Sequence, residues 1–172
     1  MVLNPIGNTL SGRCVLVAFW LIILALGGCG RTYQMGPSCM EPTIKTNELI
    51  YVDWHAYKRA APQRWDVIAF TTPTNSDLHI FRIWGLPGET ISLLGGKLQI
   101  NGTNTPLPTH LQPAIKMDEA LTHPMSLQMV MFPYTISSSG YFVVGDNLGN
   151  SFDSRYWGEV PSNSIVGRVE GK

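Results

Sequence analysis

The chain has 172 residues, which suits one domain with a modest core and a short extra segment. Twelve Lys and Arg balance twelve Asp and Glu, so the formal net charge is zero, and nothing in it points to nucleic acid or to an acidic partner. Seventeen Gly and twelve Pro predict many turns and few long helices.

The first element in chain order is apolar. Arg13 precedes a run from Cys14 to Leu26 that reaches 15 residues with Gly27 and Gly28. A spanning helix needs ~20 apolar residues, whereas a secretory core needs only ~7–15. Two readings stand. In one, Leu26-Gly27-Gly28-Cys29 resembles a bacterial lipobox, the segment is removed, and Cys29 carries a lipid. In the other, the run is an uncleaved apolar helix ending at Gly27-Gly28. Residues 1–29 are an anchor or a lipoprotein-type signal, and either way the domain over 30–172 is held beside a membrane. Of three cysteines, too few for a disulfide framework, only Cys39 belongs to that domain.

Short strands with turn punctuation follow. Strands are predicted at Glu48–Asp53, Asp66–Phe70, His79–Trp84, Glu89–Leu93, Lys97–Asn101, Gly140–Gly145 and Ser164–Val169. Pro73, Asn75 and Ser76 read as a turn, and Gly95-Gly96 as a hairpin loop. The Pro-, Thr- and Met-rich stretch from 103 to 134 has no clear period, apart from a short helix expected around Ala114 to Leu121. With no βαβ alternation, the fold class is all-β, a folded β-sheet barrel or sandwich.

Three separated segments carry a resemblance. They are Gly36-Pro37-Ser38-Cys39-Met40-Glu41-Pro42-Thr43, then Phe81-Arg82-Ile83-Trp84-Gly85-Leu86-Pro87-Gly88-Glu89, then Gly145-Asp146-Asn147-Leu148-Gly149-Asn150-Ser151-Phe152-Asp153-Ser154-Arg155-Tyr156-Trp157-Gly158. In this order they resemble the signal peptidase I family of S26-type serine endopeptidases, over about residues 33 to 170. The resemblance implies that family's β domain with a short N-terminal apolar helix. It implies removal of signal peptides from exported preproteins at the outer face of the cytoplasmic membrane, with no cofactor and no metal. It also implies a serine nucleophile in the first segment and a neutral lysine base at the start of the second. Serine is a poor nucleophile until a base takes its proton, and a lysine serves only when burial lowers its pKa.

This chain departs from that pattern twice. Read from the left, Gly36-Pro37-Ser38 makes Ser38 the nucleophile with Cys39 inserted. Read from the right, Met40-Glu41-Pro42-Thr43 places Cys39 at the nucleophile position, with no insertion. The lysine position holds Phe81, whose ring accepts no proton. His79 lies two residues earlier on the same predicted strand, so both side chains share a face, with Cβ atoms ~7 Å apart. A Cys–His or Ser–His dyad is one way to replace the base. Lys45, Lys58 and Lys97 read as solvated surface residues. By resemblance, Ser151 is the serine that orients the lysine, and Asp153 with Arg155 is a structural ion pair beside the site.

Two functional expectations follow. The chain is a signal-peptidase-type endopeptidase with an altered dyad, or it keeps the fold and the peptide groove without the chemistry. In the second case it binds extended segments or regulates an active signal peptidase as its partner.

Overall fold

A computed structural model of the chain describes residues 30–36, 38–72, 75–115, 117 and 130–172. These form two antiparallel sheets, which bears out the all-β expectation. The N-terminal apolar run, with the helix expected there, lies outside the described residues. Among the described residues no helix is long and apolar enough to cross a membrane.

The larger sheet has seven strands in the order β1-β2-β11-β3-β4-β9-β10. They are β1 (Gly30–Gln34), β2 (Leu49–Asp53), β3 (Val67–Thr72), β4 (Asn75–Gly85), β9 (Gly140–Val144), β10 (Val160–Pro161) and β11 (Ile165–Val169). The smaller sheet runs β7-β6-β5-β8, from β5 (Thr90–Leu94), β6 (Lys97–Ile100), β7 (Thr103–Asn104) and β8 (Tyr134–Thr135).

Strand position explains the side-chain pattern. β2, near one edge, alternates: Ile50 and Val52 are buried while Leu49 and Tyr51 are exposed. β3 is central, and its run Val67-Ile68-Ala69-Phe70 is buried on both faces. β9 separates two apolar clusters. Tyr141 and Val143 join the core that holds Ile68, Phe70 and Ile83, while Phe142 and Val144 join the one that holds Trp84, Ile91 and Leu98. Gly95 and Gly96, at φ 56° and 68°, link β5 to β6, a left-handed pair that favours glycine in a two-residue hairpin loop.

The structure differs from the sequence reading at one place. Asn75 was placed with Pro73 and Ser76 in a turn, but β4 begins at Asn75, which pairs with Thr72, because the β3–β4 ladder continues to that point. The helix expected around Ala114 to Leu121 lies mostly outside the described residues, and Leu111–Ala114 is a turn.

Candidate active site

β1 runs toward a short 3-10 turn, Ser38–Met40, that carries the first motif. Two asparagines of the third motif hold this turn. The Asn147 backbone N–H donates to the Cys39 carbonyl (3.0 Å), and its side-chain amide donates to the Ser38 carbonyl (3.0 Å). The Asn150 amide donates to Ser38 Oγ at 2.6 Å. The third motif thereby fastens the candidate nucleophile segment from residues more than a hundred positions away.

Gly145 makes this junction possible. A Cβ built there would lie 2.2 Å from Ser151 Oγ and 2.5 Å from the Cys39 carbonyl oxygen. Only a residue without a side chain lets these groups meet. Ser151 is buried behind Cys39, and its hydroxyl has no hydrogen-bond partner among the described residues.

In front of Cys39 opens a pocket of about 540 Å³. Its walls are Phe70 and Thr72 from β3, His79 and Phe81 from β4, and Asn150, Phe152 and Trp157 from the third motif. The strand period accounts for His79 and Phe81 facing it together. His79 stacks on Phe70, its cross-strand partner, with ring centroids 5.5 Å apart. Phe81 is 4% exposed and contacts Phe70 at 6.0 Å and Trp157 at 6.5 Å between centroids. These are favourable ring–ring separations.

Among the described residues no Lys, Arg, Asp or Glu side chain lines the pocket. Burial pushes the Cys39 thiol up to about 12, so the thiol stays protonated at neutral pH. Burial also lowers the His79 pKa, which keeps the ring neutral, and His79 Nε2 has no hydrogen-bond partner among the described residues. Lys45, Lys58 and Lys97 are exposed and none of them lines the pocket. The pocket is thus suited to hold uncharged groups rather than to move protons.

The support behind the pocket is ionic. Asp153 and Arg155 form a fully buried pair at 2.8 Å. Asp153 also accepts the Gly145 backbone N–H at 3.0 Å, and Arg155 donates to the carbonyls of Leu148 (2.9 Å) and Ser151 (3.3 Å). Asp153 caps α1 (Ser154–Trp157), and Ser154 Oγ accepts the Val143 backbone N–H at 2.9 Å, which docks the helix on β9 and aims Trp157 at the pocket. Arg82, next to Phe81, makes a second buried pair, bidentate with Asp146 at 2.9 and 2.7 Å, and donates to the Trp65 carbonyl at 2.8 Å.

Of the residues singled out from sequence, Cys39, His79 and Phe81 share the pocket, and Ser38 is bonded to Asn150 of its wall. Ser151, Asp153 and Arg155 stand behind it. Cys29 lies outside the described residues. Sequence reasoning missed Phe70, Asn150, Phe152 and Trp157 as pocket residues, and the Arg82–Asp146 pair. Only the alternation along β4 hinted that Arg82 turns away from Phe81. Among the described residues no group of three or more His, Cys, Asp or Glu is placed to hold a metal.

The chain is similar to known proteins. The family model for signal peptidase, peptidase S26, matches residues 9–171. A signal peptidase I of Leptolyngbya laminosa is 33% identical over 161 residues, covering 86% of this chain and 72% of the relative. Signal peptidase I V of Bacillus subtilis (strain 168) is 33% identical over 139 residues, covering 80% and 82%. A crystal structure of a signal peptidase I from Enterococcus faecalis V583 is 34% identical, with a TM-score of 0.49, covering 62% of this chain and 95% of that one. With the family model spanning nearly the whole chain and all three motifs gathered around one pocket, the chain belongs to the signal peptidase, peptidase S26, family.

Proposed function

We propose that this chain engages the signal-peptide region of exported preproteins and binds it without the serine–lysine hydrolysis that its family resemblance implies. It does so on the outer side of the cytoplasmic membrane, held there by residues 1–29. The observation that carries this reading is the ring of Phe81, buried against Phe70 and Trp157 where a proton acceptor is required. Burial raises the neighbouring Cys39 thiol to about 12 and so keeps it protonated at neutral pH.

A peptide still has a place to bind. β1 is an edge strand, paired only with β2 among the described residues, and it leads toward the turn that carries Cys39. An extended segment adds to such an edge through main-chain hydrogen bonds and sends alternate side chains toward the pocket.

The test is incubation of the full chain in lipid nanodiscs with a signal-peptide-bearing preprotein, beside an active signal peptidase. The expected result is photo-crosslinking without cleavage. Phe81→Lys with Cys39→Ser should then gain cleavage, because an amine among these rings is desolvated and its pKa falls toward neutrality. One observation favours a second reading, in which His79 serves as the base: it lines the same pocket as Cys39. Cleavage by the unmodified chain, lost in both Cys39→Ala and His79→Ala, would establish that thiol–imidazole protease and overturn the binding-only reading.

A further inference from the structure

The pocket is much larger than a small side chain needs. A single methyl group takes roughly the volume of one water, about 30 Å³, against a pocket of about 540 Å³. Small residues would leave the exposed faces of Phe152 and Trp157 in contact with water. Phe152 and Trp157, at the third-motif wall, are 56% and 38% exposed, which leaves large apolar surface for an occupant to cover.

We infer that the space bounded by Phe70, Phe81, Phe152 and Trp157 is a subsite for a large apolar side chain, aromatic or leucine, of the bound peptide. Phe81 thereby turns the place of a base into a determinant of specificity. This rests on the peptide-binding reading above and names the substrate class for that site.

Three observations carry it. The Phe70, Phe81 and Trp157 rings already meet at 6.0 to 6.5 Å in tilted geometry, and an entering ring can extend that arrangement. No charged side chain lines the space, so a charged residue would be desolvated without a counter-charge. The polar side chains that line it, Thr72 and Asn150, suit the backbone of a peptide better than a hydrocarbon chain.

The experiment uses the full chain in nanodiscs of phosphatidylcholine and phosphatidylglycerol. A fluorescein-labelled synthetic signal peptide is scanned one position at a time with Ala, Leu, Phe and Lys, and binding is read by polarisation. At one position Phe or Leu should bind about 10- to 100-fold more tightly than Ala, as expected for burying one such side chain, and Lys should bind most weakly. Trp157→Ala and, separately, Phe152→Ala should each reduce that Phe-to-Ala ratio.

Equal binding of all peptides, with the ratio unmoved by either variant, would overturn the subsite while leaving peptide binding intact. Preference for Ala would do the same. No binding by any peptide would overturn both readings. In nanodiscs made with brominated acyl chains, Trp157-dependent quenching that no peptide relieves would assign the pocket to lipid and so refute the subsite.

Discussion

Cys39 and Phe81 lie beside each other across one pocket, and their chemistry is set by what surrounds them more than by what they are. A thiol on an exposed loop ionises close to its ordinary value of 9.0, whereas burial moves the Cys39 thiol up to about 12. The sign of the consequence is definite. In the unfolded chain the thiol releases its proton first, so its contribution to stability is complete below about pH 9 and is lost as pH rises toward about 12. Thermal melts across this window should show an alkaline decline that is shallower in Cys39→Ala. Identical declines in the two proteins would mean that Cys39 is not held protonated by the fold. The expectation that Phe81 stands at the base position rests on its neighbours Arg82 and Gly85-Leu86-Pro87-Gly88. That it packs on Phe70 and Trp157 was not, because those partners come from other segments.

At the scale of elements, β4 and the 145–157 segment build the site between them. β4 sends His79 and Phe81 to the pocket, and the two-residue period made this readable in advance. The 145–157 segment is irregular, and its shape depends on buried charge. Asp153 holds the Gly145 N–H and the Arg155 guanidinium, which in turn holds the carbonyls of Leu148 and Ser151. Asp153→Asn leaves Arg155 buried without its counter-charge, so a loss of about 3–5 kcal/mol is expected in urea unfolding. A change under about 1 kcal/mol, the range of an exposed pair, would show that the pair contributes little. Arg82 and Asp146 make a second buried pair across 64 residues of sequence, and no local pattern links them.

At the scale of the whole molecule, β9 of the larger sheet lies between two apolar clusters and feeds alternate residues to each. The larger sheet carries the site, and the described chain begins at Gly30 on its edge strand. The expected anchor, residues 1–29, directly precedes β1 in the chain. If Cys29 bears the lipid, incorporation of a clickable fatty acid into the full chain should disappear in Cys29→Ser. Labelling that persists unchanged would refute the lipobox.

The sequence by itself determined the family, the all-β class, and the positions where this chain departs from the family pattern. Motif order, turn residues and two-residue alternation are properties of neighbours along the chain and need no folding to be read. The tertiary structure alone decided what the departures mean. It placed Cys39, Phe70, Phe81 and Trp157, from four separate segments, around one uncharged pocket. Burial and ring contact belong to groups distant in sequence, and they determine whether a thiol ionises, whether a base can act, and which side chain fits.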